Sequence, residues 1–210
     1  QRPQRGKSAE MFITFEGIDG VGKSTQLDLL EKHLVSQGKE VVRTLEPGGT
    51  ELGEEIRHLL LHRKGDVAPR SEALLYAADR AHHVETKIKP ALASGKVVLS
   101  DRYFDSSVAY QGAARELDVT EVRDISLWAI DNLLPDLTVL LDLPAQEAMQ
   151  RRGNKGTEPD RLEREQVEFF ERARDEYLRM ATEPRFLVVD ANLSPEDIHS
   201  RVLDRVAKLS

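Results

Sequence analysis

The residues best suited to chemistry form one glycine-rich run near the start of the chain. It fits G-x-x-x-x-G-K-[ST] and consists of Gly17, Ile18, Asp19, Gly20, Val21, Gly22, Lys23 and Ser24. Because it follows a predicted strand and opens a predicted helix, its backbone N–H groups can surround phosphate oxygens. In such a P-loop, Lys23 reaches the β and γ phosphates and the Ser24 hydroxyl ligates Mg²⁺. The run predicts ATP binding, and we include the next residue, Thr25, in the ATP-binding set.

An acid and a base follow the third predicted strand. Asp101 ends the run Val97 to Asp101, and Arg102 comes directly after it. A carboxylate at this place can hold Mg²⁺ or its waters across from the P-loop, and a guanidinium can clamp a second phosphate through paired hydrogen bonds. The alternative is an ordinary surface ion pair, which would contribute little to stability.

Tyr76 and Arg80 are four residues apart on a predicted helix, so both side chains lie on one face. An aromatic ring beside a guanidinium suits a planar base with carbonyl edges. The same pair is also compatible with core packing and a solvated arginine.

The segment from Arg151 to Arg164 departs from regular secondary structure. It contains Gly153, Gly156 and Pro159, and it has few apolar residues. Arg151, Arg152, Lys155 and Arg161 make it strongly basic. We interpret residues 151–164 as a mobile basic flap whose positive charge could screen a transferring phosphoryl group. The alternative is a solvated loop with incidental charge.

Composition excludes several other classes of function. The 210 residues contain 30 Lys and Arg against 37 Asp and Glu, a net charge of −7, which argues against general binding to nucleic acid or anionic membrane. Cysteine is absent, so a disulfide framework, a thiolate zinc site and a thiol nucleophile are excluded. His58 and His62 have no third ligand nearby, and we assign them, like His82 and His83, to the surface. No apolar run approaches the length of a membrane span, and we expect a cytoplasmic protein.

The elements that must position these residues alternate in type along the chain. Five short apolar runs predict strands: 12–15, 40–45, 97–100, 137–143 and 186–189. Helical periodicity between them predicts a five-stranded parallel sheet with helices on both faces, the α/β fold of P-loop NTPases. We expect one kinase domain over 11–210, with its lid at about 151–164. Residues 1–10 are expected to be a disordered leader or a remnant of cloning, because Met11 would make a natural start.

These motifs together resemble the thymidylate kinases, and the resemblance extends from Met11 to the last predicted helix. The matching stretches are Phe15 to Gln26, Glu46 to Thr50, Leu74 to Arg80, Asp101 to Gly112, and Asp160 to Glu163. The resemblance implies a nucleoside monophosphate kinase fold, a basic lid of the bacterial type, nucleotide substrates and a homodimer.

The resemblance also implies roles for single residues. Asp19 would bind the deoxyribose 3′-hydroxyl, Tyr76 would stack on thymine, and Arg80 would hydrogen-bond a thymine carbonyl. Arg102 would hold the acceptor phosphate, Tyr110 would exclude a 2′-hydroxyl, and Ser107 or Gln111 would read the base edge. Arg151 or Arg152 would lie against adenine. The expected substrate-binding set is completed by Pro47, and the expected catalytic set is Lys23, Arg102, Arg151, Arg152 and Arg161.

Three positions depart from the family pattern. Tyr76 stands where phenylalanine is usual, and Leu45 stands where bacterial members often have arginine. Gly20 occupies the P-loop position at which some members carry a basic residue, so the positive charge must come from the flap.

The sequence thus predicts a kinase that converts dTMP to dTDP with ATP and Mg²⁺. Another small P-loop nucleotide or nucleoside kinase is the near alternative. A nucleoside kinase would need a carboxylate base such as Glu46 to deprotonate a neutral 5′-hydroxyl. A nucleotide-dependent switch or binding module is the alternative from another class. The nearest match to a guanine-reading motif, Asn154 to Thr157, lacks its aspartate.

Overall fold

The structure is a computed structural model that describes residues 10–153, 156 and 158–209. The expected leader therefore lies outside the described residues except for Glu10. Lys155 of the flap, and with it most of the segment compared with a guanine-reading motif, also lies outside them.

Five parallel strands form one sheet in the described part of the chain, in the order β2-β3-β1-β4-β5. They are β1 (Met11–Glu16), β2 (Val41–Leu45), β3 (Val97–Asp101), β4 (Leu137–Asp142) and β5 (Phe186–Asp190). Asp101 on β3 pairs with Phe15 on β1 and with Leu45 on β2. The carboxyl ends of these three strands therefore meet, which brings the P-loop and Arg102 to one edge of the sheet. The predicted five-stranded parallel fold is confirmed, with strand ends shifted by one residue.

Helices connect the strands. They are α1 (Lys23–Ser36), α2 (Glu51–Leu61), α3 (Pro69–His83), α4 (Lys89–Ala93), α5 (Phe104–Ser107), α6 (Val119–Ala129), α7 (Ala145–Gly153), α8 (Val167–Met180) and α9 (Pro195–Val206). Two π-helical turns, Val84–Ile88 and Val108–Ala114, extend α3 and α5. None of the helices within the described ranges is long and apolar enough to cross a membrane.

The start of α1 differs from the start of α2. The Thr50 hydroxyl caps α2 by accepting from Gly53 N–H, whereas Gly22 precedes α1 with a φ of 99° and provides no side-chain cap. The left-handed conformation favours glycine here. The first amides of α1 are consequently available to an anion, as expected for a P-loop helix.

The apolar core lies on both sides of the central strands. Every residue of β1 is buried, and α1 contributes Leu27, Leu30 and Leu34 to the core. A strand buried on both faces reads as a nearly continuous apolar run, which is why sequence pattern located it so closely. The rigid sheet fixes the positions of the loops that follow its carboxyl ends.

Candidate active site

Two adjoining clefts lie at the carboxyl edge of the sheet. The P-loop cleft is lined by Asp19, Gly20, Gly22, Lys23, Ser24, Thr25, Leu45, Glu46, Arg57, Asp101, Arg102, Arg152 and Glu163. The tyrosine cleft is lined by Asp19, Glu46, Pro47, Arg57, Leu61, Tyr76, Arg80, Arg102, Ser106, Tyr110, Gln111, Asp160 and Leu162. The two linings share Asp19, Glu46, Arg57 and Arg102. A group bound in one cleft can therefore meet a group bound in the other at these four residues.

Lys23 is buried at the base of the P-loop. Its Nζ donates to the carbonyl oxygens of Gly17 at 3.1 Å and Ile18 at 3.5 Å. Burial, together with the nearby Arg102, lowers the pKa of Lys23. Ser24 and Asp101 line the same cleft, so a hydroxyl and a carboxylate oxygen, both hard ligands suited to Mg²⁺, face a common space.

Gly20 explains how α7 meets the P-loop. Its φ is 92°, and a Cβ at this position would lie 2.5 Å from the carbonyl oxygen of Ala148 on α7. A basic side chain at position 20 therefore has no room. The same close approach brings the end of α7, with Arg152, into the wall of the P-loop cleft.

The first two arginines of the predicted flap, Arg151 and Arg152, contact different parts of the protein. Arg151 and Arg152 belong to α7, so the first residues of the predicted flap are helical. Arg152 Nη2 donates to the Glu163 carbonyl oxygen at 2.9 Å, and its Nη1 is buried without a partner among the described residues. Arg151 turns instead to Asn192 and the Ala191 carbonyl oxygen. Arg151 and Arg152 therefore do not converge on the P-loop here.

Arg161 lies next to the tyrosine cleft, because its backbone N–H donates at 3.2 Å to the carbonyl oxygen of Leu61, which lines that cleft. Its Nε donates to the Leu60 carbonyl oxygen at 2.7 Å, and its Nη2 forms an ion pair with Glu72. Glu72 is fully buried and also pairs with Arg115 at 3.1 Å and contacts Gln111 at 3.5 Å. Sequence analysis did not identify Glu72, because an acid on a helix is ordinarily solvated and nothing in the local pattern shows its buried partners.

Arg102 stands between the two clefts. It has a φ of 71°, unusual for a residue with a side chain, and its Nη2 donates to Asp19 Oδ1 at 2.9 Å. Its guanidinium lies 5.2 Å from the centre of the Tyr110 ring. Burial alone would raise the pKa of Asp19, but Arg102 and Lys23 outweigh it and lower the pKa to about 2. Asp19 is thus an ionised acceptor beside a fixed cation.

Tyr76 and Arg80 lie in the tyrosine cleft, as the interpretation of a base site requires. Burial and the neighbouring Glu72 raise the pKa of Tyr76, so its hydroxyl stays protonated. Arg80 is buried rather than solvated: its Nη1 donates to Ser107 Oγ at 2.9 Å and its Nη2 to the Tyr103 carbonyl oxygen at 3.2 Å. Ser107 lies behind Arg80, and its neighbour Ser106 lines the cleft together with Gln111 and Pro47.

Glu46 is a buried hydrogen-bond partner of Arg80. Its Oε2 accepts from Arg80 Nε at 2.5 Å and its Oε1 contacts His83 Nδ1 at 2.8 Å, while His83 Nε2 lies 2.6 Å from Thr44 Oγ1. Burial favours a high pKa for Glu46, but Arg80 and His83 outweigh it and lower the pKa. The surface assignment of His83 is therefore wrong, because this histidine is fully buried. His58 and His62 are exposed, as expected.

Comparison with known proteins gives a consistent result. The family model described as thymidylate kinase matches residues 15–202. A protein named thymidylate kinase from Leifsonia xyli subsp. xyli is 61% identical over 197 residues, covering 93% of this chain and 94% of the relative. A protein of the same name from Halothermothrix orenii is 50% identical over 198 residues, covering 93% of this chain and 96% of the relative.

Proposed function

The chain belongs to the thymidylate kinase family, and we propose from this premise which nucleotide each of its two clefts binds for phosphoryl transfer. It transfers the γ-phosphoryl group of ATP to dTMP and yields ADP and dTDP, a step in dTTP synthesis. The main observation behind the assignment of one nucleotide to each cleft is that Arg102 lies in the walls of both clefts. We assign ATP to the P-loop cleft and dTMP to the tyrosine cleft.

The P-loop cleft offers a complete set of phosphate ligands. We assign the amides from Gly17 to Thr25 and the Lys23 ammonium to the donor phosphates. The reaction uses a divalent cation, and we propose Mg²⁺ held by Ser24 and Asp101, directly or through water. When bound, the cation neutralises charge on the donor phosphates.

The tyrosine cleft offers groups that match each part of dTMP. Arg102 would hold the acceptor phosphate and Asp19 the 3′-hydroxyl. Tyr76 would stack on thymine, and Arg80, with its Nε already fixed by Glu46, would donate to a base carbonyl. Tyr110 closes the sugar side, and its ring packs against Phe169 at 5.9 Å, which limits its movement away from a 2′-hydroxyl.

The chemistry requires charge neutralisation more than a base. The dTMP phosphate is already an anionic oxygen nucleophile, so the barrier arises from bringing two anionic groups into line. Arg152 lines the P-loop cleft, which supports it as the flap arginine nearest the transferring group. Arg151 and Arg161 complete the proposed set of flap cations.

The structure argues against the two alternatives. A nucleoside kinase would need a free carboxylate base, but both oxygens of Glu46 are occupied by Arg80 and His83. A switch or binding module does not require a second cleft that shares an arginine with the P-loop cleft, whereas a kinase needs a site for its acceptor there.

We further propose a cytoplasmic homodimer. Helix α3 packs against α2 and α6, and these helices carry the exposed apolar side chains Leu52, Leu59, Leu74, Ile125 and Trp128. Trp128 is 82% exposed, and such a surface is typical of a protein–protein contact. Light scattering on a sizing column should show a dimer that Trp128→Glu converts to monomer. Val35→Glu on α1, also exposed and apolar, is the control; a monomeric wild type would refute the proposal.

The acceptor preference tests the assignment of the clefts. ADP release would be measured with ATP, Mg²⁺ and, in separate reactions, dTMP, dUMP, ribosyl-TMP, CMP, AMP and thymidine. We expect rapid turnover with dTMP and little with the ribose analogue. Turnover with thymidine alone would indicate a nucleoside kinase, and ATP hydrolysis independent of any acceptor would indicate a switch.

A further inference from the structure

A buried carboxylate lies beneath Arg102. Glu16 ends β1 and is fully buried. Its Oε1 accepts from the backbone N–H of Tyr103 at 2.7 Å, and its Oε2 accepts from Ser106 Oγ at 2.5 Å and from Tyr177 OH at 3.0 Å. A buried acid with this many donors is built into the fold, yet none of the roles assigned above uses it.

The same two hydroxyl groups contact Arg102. Arg102 Nη1 donates to Ser106 Oγ at 3.1 Å and to Tyr177 OH at 3.1 Å. Each hydroxyl can thus donate a hydrogen bond to Glu16 and accept one from the guanidinium, and the two hydroxyl oxygens lie 2.9 Å from each other. Arg102 needs such support, because its backbone is in the left-handed region and its Nη2 already donates to Asp19.

The charges around Glu16 leave Arg102 as its main counterion. The nearby acid Asp105 is paired with Arg185, with both hydrogen bonds at 2.7 Å. Lys23 and Tyr110 also interact electrostatically with Glu16. Burial and the charge of Asp105 raise the pKa of Glu16 to about 7, although Arg102 acts in the opposite direction.

We propose that Glu16 is a positioning residue for the acceptor phosphate, which it serves by orienting the Ser106 and Tyr177 hydroxyls that hold Arg102. In the ionised state Glu16 accepts hydrogen bonds from both hydroxyls, and Arg102 is held in place for dTMP. When Glu16 is protonated, one hydroxyl loses its acceptor and the guanidinium loses a neighbouring negative charge. This inference rests on the proposed assignment of dTMP to the tyrosine cleft.

Tyr177→Phe is the most direct test, because Tyr177 lies outside the linings of both clefts. The substitution keeps the ring that packs against Tyr110 and removes only the hydroxyl that contacts Arg102, Glu16 and Ser106. We expect the KM for dTMP to rise about tenfold while the KM for ATP stays within twofold. Ser126→Ala, which removes a buried hydroxyl that donates to Val122 on α6, is the control and should leave both KM values unchanged. A Tyr177→Phe enzyme with lower kcat but unchanged KM values would show a merely structural role and overturn the proposal.

Glu16→Gln supplies a second test that does not depend on the first variant's stability. The dTMP phosphate titrates near pH 6, but this ionisation cancels when kcat/KM for dTMP in the wild type is divided by that of the variant, since kcat/KM reports free enzyme and free substrate. We expect this ratio to rise through about pH 7. A ratio that is flat from pH 5.5 to 8.5 would overturn the proposal. Absence of dTMP phosphorylation by the wild type would instead refute the proposed function.

Discussion

The arginines of the tyrosine cleft and the arginine at the end of α7 differ in their hydrogen-bond partners. Arg80 and Arg102 are held by buried partners, Glu46 for the first and the Ser106–Tyr177 pair for the second. Arg152 donates to one main-chain carbonyl and lies 5.1 Å from the centre of the Phe170 ring, and one of its guanidinium nitrogens has no hydrogen-bond partner among the described residues. The acceptor site is therefore oriented when the chain folds, whereas Arg152 has a buried guanidinium nitrogen that makes no hydrogen bond among the described residues. Preorganised donors are the effective ones in catalysis.

Removing the arginine shared by the clefts should have the largest effect. We expect Arg102→Ala to lower kcat/KM for dTMP by about 10³, about 4 kcal/mol, because the acceptor phosphate loses a charged and oriented partner. The KM for ATP should change little in steady-state assays. Arg123→Ala, which breaks a surface pair with Glu183, is the matched control. A loss below tenfold would contradict the assignment of Arg102 to dTMP.

Replacing Arg152 should show whether its guanidinium contributes to phosphoryl transfer. Arg152→Ala should lower kcat by about 10² with a smaller change in either KM, since the contact forms fully only in the transition state. Arg151→Ala, one residue away but directed toward Asn192, should lower kcat by less than about fivefold. Equal losses in the two variants, measured under saturating substrates, would remove the distinction between them.

The packing of α7 on the P-loop can be broken at Gly20. Gly20→Ala should destabilise the protein by about 3 kcal/mol, because the added Cβ would meet the Ala148 carbonyl and the backbone φ is positive. Gly38→Ala also has a positive φ but no atom within 4 Å of the new Cβ, so it should cost only about 1 kcal/mol. Thermal unfolding of the two variants separates the clash from the backbone strain. Equal shifts would show that α7 moves away without penalty.

The buried acid beneath Arg102 should leave a signature in stability. The pKa of Glu16 rises from 4.5 in the unfolded chain to about 7 in the folded protein, so the folded state binds more protons between these values. Stability must then fall as the pH rises from about 4.5 to 7. Relative to Glu16→Gln, the wild type should lose about 2 kcal/mol between pH 5 and 8 in denaturant titrations. A constant difference between the two proteins would contradict a raised pKa.

The sequence predicted best what depends on local pattern. The strands read correctly because buried parallel strands are continuous apolar runs, and the P-loop because its glycines and lysine must keep a fixed spacing. Tyr76 and Arg80 were correctly placed on one helical face. The start of the flap was predicted too early, because Arg151 and Arg152 belong to α7, which continues to Gly153.

Buried charges were the main omission. Glu72 and His83 lie on a helix, where polar residues are ordinarily solvated, whereas Glu16 ends a fully buried strand. Their partners are distant in sequence: Tyr177 is 161 residues from Glu16. Only the tertiary structure brings such pairs together. The π-helical turn that carries Tyr110 and Gln111 has no local signature in the sequence either.

The central claim is that a phosphoryl group passes from the P-loop cleft to dTMP in the tyrosine cleft. Phosphorus NMR of the purified protein with ATP, Mg²⁺ and dTMP tests it most directly, because it identifies both products in one reaction. The account predicts dTDP and ADP in equal amounts, with no inorganic phosphate above the background hydrolysis of ATP. Inorganic phosphate and ADP without dTDP would contradict it.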